Sequence, residues 1–184
     1  MVIKIFLVNF FQYREGAATA GKEVSLPCSS DDLEEILNEI GVATDEESFL
    51  LKWSCEIEGV CSCISEQTRL SEVNRIAGVL EQLSPDEREL LSALIEAQKP
   101  DTTQLLSLLE SLSAYVLLPG IHGDAELGKY LAETFRSIAI PDHIKPYFDY
   151  RAYGYEMRKT IRGLYTSYGF LLFEKSKTER IFNV

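Results

Sequence analysis

No stretch of the 184-residue sequence approaches the ~20 consecutive apolar residues of a membrane-spanning helix, so a membrane span is excluded. Its 11 glycines are scattered and form neither phosphate-cradling pattern, GxGxxG or GxxxxGK followed by Ser or Thr. Histidine is scarce: only His122 and His143 could supply an imidazole base. His122 belongs to His122-Gly123-Asp124 after a turn and His143 to a helix start at Pro141-Asp142-His143, and no nucleophile elbow accompanies either. An enzymatic reading would need one of them in a cleft beside a cysteine or a carboxylate. With 29 carboxylates, a chance pair of acids is expected and carries no weight. The sequence therefore reads as non-enzymatic, with no cofactor.

Positive charge is in deficit as well. Eighteen Lys and Arg face 29 Asp and Glu, giving a net charge of −11 and a pI near 4.7. That sign opposes a general phosphate-binding surface, so direct nucleic-acid contact is disfavoured and a partner with a basic groove is favoured. Cysteine is limited to Cys28, Cys55, Cys61 and Cys63. Only the last two are close, at a strand-like spacing with no histidine nearby, so the four read as reduced, packed thiols rather than a metal site. The opening run Met1 to Phe11 is followed at once by Gln12, Tyr13, Arg14 and Glu15, a poor match to a cleavage region. It reads as a strand, and the protein as cytoplasmic.

What is present is ample apolar material, 46% of residues, in a chain long enough to bury about 70% of its unfolded surface without a disulfide or metal. Acid is unevenly placed. Residues 1–112 carry a net −13 and residues 113–184 a net +2, and Glu23 to Glu58 hold 11 carboxylates against Lys52 alone.

The patterning predicts an α+β fold of three small modules. Residues 1–64 read as an α+β module: a strand over 2–9, a long loop, and a helix over 31–40 capped by Ser29 or Ser30. A strand over 49–58 and a returning hairpin partner over 60–64 complete it. Residues 65–112 read as a helical module. Thr68 is the expected cap of a helix bearing Leu70, Val73, Ile76, Ala77 and Leu80, and Ser84-Pro85-Asp86-Glu87 forms a capping box for the next. Lys99-Pro100-Asp101 ends that helix before a leucine-rich third. Residues 113–184 read as a second α+β module: a strand over 115–118, a helix facing inward through Leu127, Tyr130, Leu131 and Phe135, and strands within 163–173.

Two stretches resemble a known family. Ile64-Ser65-Glu66 through Leu70-Ser71-Glu72-Val73-Asn74-Arg75-Ile76-Ala77 is similar to the central L-x-E-x-N-x-x-A segment of ArdA-type antirestriction proteins. Leu127-Gly128-Lys129-Tyr130, then Ile140-Pro141 and Tyr147-Phe148-Asp149-Tyr150-Arg151-Ala152-Tyr153-Gly154, resembles the same family's carboxyl module. The resemblance implies an elongated homodimer that mimics bent B-form DNA. It would block type I restriction-modification enzymes by filling their DNA-binding groove, and its gene would lie on a mobile genetic element. Dimerisation would use the carboxyl module, with Tyr147, Phe148, Tyr150 and Tyr153 as candidate contacts unless these rings form that module's own core.

On this reading the phosphate surrogates are Asp31, Asp32, Glu34, Glu35, Glu39, Asp45, Glu46, Glu47, Glu56, Glu58, Glu72, Glu81, Asp86, Glu87 and Glu89. The bases Arg151, Arg158, Lys159, Arg162, Lys175, Lys177 and Arg180 would interrupt a continuous phosphate-like path. The alternative is an acidic structural or adaptor module whose carboxylates only keep it soluble.

Overall fold

The computed structural model describes residues 2–16, 21–134 and 138–173. Among these the chain is mixed α+β, with seven α-helices and two three-stranded antiparallel sheets. It divides into two compact units, Met1–Arg88 with Gln98–Glu110, and Glu89–Ala97 with Ser111–Val184.

In the first unit β1 (Ile3–Asn9) is the central strand of the order β2-β1-β3, with β2 at Gly21–Leu26 and β3 at Ser48–Cys55. Alternation sets its faces: Ile3, Ile5 and Leu7 are buried while Lys4 is exposed. Register pairs Ile5 with Val24 on one side and Trp53 on the other, and a bulge between Phe6 and Leu7 shifts the β3 side by one residue. Buried Asn9 ends the strand. Its Oδ1 accepts from Phe11 N and Gln12 N, capping the short α1 (Phe10–Arg14), while Nδ2 donates to the carbonyls of Ile40 and Gly41.

Helix α2 (Ser30–Glu39) starts from a Ser29–Asp32 capping box and stops at Gly41, whose φ of +73° favours glycine. Along its apolar face, Ile36 and Ile40 are buried and Leu33 and Leu37 half-buried. Helix α3 (Leu70–Gln82) buries Leu70, Val73, Ile76, Ala77 and Leu80, and contacts β2, β3 and α5 (Thr102–Glu110). Helix α4 (Pro85–Gln98) begins with the expected Ser84–Glu87 box: Ser84 N and Oγ donate to Glu87, and Glu87 N to Ser84 Oγ at 3.3 Å.

Three expectations for this unit are overturned. The predicted long loop after β1 contains α1 and β2, because Asn9 caps a helical turn and Val24 and Leu26 alternate inward on a strand paired beside β1. Residues 60–64 are not a strand. Gly59, at φ +86°, turns the chain into a 3-10 turn, Val60–Cys63, and β3 pairs with β1 instead. Cys61 and Cys63 therefore share no sheet face, and Trp53 Nε1 donates to the Cys61 carbonyl at 2.9 Å. Thr68 does not cap α3. Its hydroxyl accepts from Ser65 N and meets Thr102, while α3 is capped from a distance by Asp45.

The second unit is built on β6 (Gly169–Phe173), central in the order β4-β6-β5, with β4 at Tyr115–Pro119 and β5 at Gly163–Thr166. Phe170, Leu171 and Leu172 are fully buried, and Phe170 and Leu172 join Ile121, Leu127, Leu131 and Ile161 in the core. Helix α6 (Asp124–Lys129) continues into a π-helical turn over Tyr130–Thr134; Phe135 lies outside the described residues.

Helix α6 crosses α7 (Tyr150–Thr160) at two glycines. A Cβ on Gly128 would lie 1.9 Å from the Tyr150 carbonyl oxygen, and one on Gly154 would lie 1.8 Å from that of Asp124. No side chain fits between these backbones. Asp124 then ties α6 to α7 and β5, accepting from Arg158 Nε at 2.9 Å and Tyr165 Oη at 2.8 Å.

Candidate functional site

The carboxylates divide by what their oxygens already do. Asp45 is committed to the scaffold. It stands in the 3-10 turn Asp45–Glu47, and its two oxygens accept from Leu70 N at 2.8 Å, Ser71 N at 3.0 Å and Ser71 Oγ at 2.8 Å. These are the first donors of α3, which lack intrahelical partners, and the anion also meets the positive end of the helix dipole. Glu47 accepts from Ala43 N at 2.9 Å, and Glu72 lies 3.4 Å from Arg69 N. All three are half-buried, unlike the twelve other predicted surrogates, which are exposed.

Several exposed acids are partnered too. Glu46 pairs with Arg69 at 2.7 Å, and Glu39 with Lys22. Hydrogen bonds from the Ser29 hydroxyl and then its backbone hold the Asp32 carboxyl below its usual value. Glu87 is held down likewise, first by the backbone and then by the hydroxyl of Ser84. Both acids remain anionic while serving as caps. Glu58 and Glu81 are exposed with contacts of their own. Asp31, Glu34, Glu35, Glu56, Asp86 and Glu89 are exposed, and their carboxylates have no hydrogen-bond or ion-pair partner among the described residues. The densest group is on α2, where five predicted surrogates occupy one ten-residue helix with few apolar side chains turned inward.

Of the four candidate dimer aromatics, Phe148 packs on Tyr150 and Tyr153, and Tyr147 stands apart from them. Tyr147 is 85% exposed. Phe148 is half-buried and edge-on to Tyr150 and Tyr153, with centroids 5.1 and 5.6 Å apart. Tyr153 packs on the second unit's core, and Tyr150 Oη donates to Glu133 at 2.6 Å. Of the interrupting bases, Arg158 is paired with Asp124 and Lys159 with Glu156, while Arg151 and Arg162 are exposed. Lys175, Lys177 and Arg180 lie outside the described residues.

The four cysteines belong to the first unit and both histidines to the second. Burial pushes the Cys55 and Cys63 thiols up, away from the nucleophilic thiolate. His143 is exposed, and His122 places Nδ1 3.3 Å from the Thr166 carbonyl. Among the described residues no group of three or more His, Cys, Asp and Glu could hold a metal ion, and no helix is long and apolar enough to cross a membrane.

One feature escaped sequence reading: the aromatic group Phe10, Tyr13 and Phe49. The period shift from β1 into α1 at Asn9 was its signal, masked because Phe10 and Phe11 extend an apolar run.

Fold and surface together define a small acidic α+β protein that carries a set of exposed carboxylates on a well-capped scaffold. The chain belongs to the antirestriction protein (ArdA) family, whose model matches residues 5–171. No curated protein matches the chain significantly.

Proposed function

We propose that this protein is a non-catalytic DNA mimic that inhibits type I restriction-modification enzymes by occupying their DNA-binding groove. Such enzymes hold DNA by neutralising phosphates with Lys and Arg and releasing counterions. A folded surface of fixed carboxylates competes for those cations while offering no base edge and no scissile bond. Membership of the antirestriction family supports a restriction-modification enzyme as the target. The observation that carries the mimicry is the exposure of twelve of the fifteen surrogate carboxylates, five of them on α2. Residues 1–64 and 65–112 would form the acidic arm, and the near-neutral residues 113–184 the homodimer contact, with Tyr147 as its exposed ring. The proposal places the protein in the cytoplasm, encoded on a mobile element.

The test is cleavage of unmodified DNA by a purified type I enzyme with increasing amounts of the protein, at about 50 and about 200 mM salt. Inhibition should be strong at low salt, fall steeply at high salt, and be independent of DNA sequence. Absence of inhibition at low salt would overturn the proposal. Inhibition insensitive to salt would point instead to an adaptor that binds through apolar surface.

A further inference from the structure

A hollow of about 630 Å3 opens in the first unit beside α1, the 45–47 turn, the start of β3 and residues 66–69. That volume falls within the ~300–1,000 Å3 of sites that enclose a small ligand or a large side chain. Its walls are aromatic. Phe10 stands edge-on to Phe49 with centroids 6.1 Å apart, and Tyr13 to Phe49 at 5.1 Å. Phe10 and Tyr13 are nevertheless 42% and 38% exposed, so these rings are not simply core.

Polar groups on the lining favour one sign of ligand. Arg69 is neutralised by Glu46, and Asp45 is used as the cap of α3. The exposed Glu66 carboxylate has no hydrogen-bond or ion-pair partner among the described residues, and its backbone is fixed because its carbonyl accepts from Leu50 N at 3.1 Å. The ring faces already hold one cation: the Arg14 guanidinium lies 5.6 Å above the centre of Phe10. On the lining itself the acids Asp45, Glu46 and Glu66 outnumber the bases Arg14 and Arg69, which disfavours an anion.

We infer that this hollow receives an arginine or lysine side chain of the protein's binding partner. The aliphatic stem lies against Tyr13 and Phe49 and the charged head meets Glu66, with Arg14 as an internal competitor for the ring faces. The inference rests on the proposed function for its partner, a protein with a basic groove, and adds to that diffuse charge contact one shaped, desolvated anchor.

Two measurements test it, each on full-length protein whose variants melt like the parent. In the first, acetyl-Gly-Arg-Gly-amide is titrated while the aromatic proton resonances of Phe10, Tyr13 and Phe49 are followed. Saturable shifts should appear, be absent with acetyl-Gly-Glu-Gly-amide, weaken roughly five-fold in Tyr13→Ala or Glu66→Gln, and strengthen in Arg14→Ala. No shifts, or a stronger response to the acidic peptide, would overturn the inference whether or not the protein inhibits a restriction enzyme. In the second, affinity for the type I enzyme is measured across salt concentrations. Tyr13→Ala should weaken binding roughly five-fold at every salt concentration with an unchanged slope, whereas Glu34→Gln should lower the slope. An unchanged affinity in Tyr13→Ala would overturn the assignment of this hollow to that partner. Peptide binding without any enzyme binding would sink the antirestriction reading and leave the cation site standing.

Discussion

Two carboxylates show how the surroundings of a side chain decide its role. Asp45 and Glu34 have the same charge and both sit in the acidic stretch, yet Asp45 caps α3 while Glu34 faces solvent. Asp45→Ala should therefore cost about 1–2 kcal/mol in urea unfolding, the cost of removing a good helix cap. Glu34→Gln should leave stability within about 0.5 kcal/mol of the parent. Asp124 gives a pH-dependent counterpart. The Tyr165 hydroxyl, and after it the Arg158 guanidinium, hold its carboxyl below the usual value against partial desolvation. A depressed folded-state pKa contributes stability that is present above the ordinary carboxyl range near pH 4 and is lost as pH falls through the folded value. The stability difference between parent and Asp124→Asn should thus shrink as pH is lowered from about 5 to about 2, followed by chemical denaturation at each pH.

Among the elements, the α6–α7 crossing is the least tolerant. Gly154→Ala would push a methyl into the Asp124 carbonyl, and because the obstacle is helix backbone rather than a flexible side-chain end, relief requires the helices to part. A loss of about 3 kcal/mol or more is expected in thermal or urea unfolding. A loss below about 1 kcal/mol would show that the helices separate easily. Legibility also varied by element. Helices with their own caps and inward periodicity, α2 and α4, were readable because every signal is local. The cap of α3 was not, because its donor set is satisfied by a residue 25 positions away. Strand β2 was hidden by short alternation with only Val24 and Leu26 buried, and residues 60–64 imitated a strand until the positive φ of Gly59 redirected the chain. The exposed acids were legible as a population, while the aromatic hollow was not, since its walls come together only through tertiary folding.

At the scale of the whole molecule, charge is partitioned between the first 112 residues and the remainder. A surface that works by summed potential has no indispensable member. Replacing Glu34 or Glu35 alone by Gln should change inhibition of a type I enzyme less than about five-fold. Replacing Asp31, Glu34, Glu35, Glu56 and Asp86 together by Lys should abolish it, while circular dichroism and melting stay close to the parent. Complete loss from one neutralisation would replace a distributed surface with a discrete chemical centre.

The two glycines between α6 and α7 set a different kind of limit. An anion is interchangeable with its neighbour so long as the summed field persists, whereas a gap narrower than a methyl group admits one residue type. Evolutionary drift in this lineage should then run fast over the acidic exterior and nearly stop where the helices touch. Kinship would be most durable in the place that has least to do with meeting an opponent.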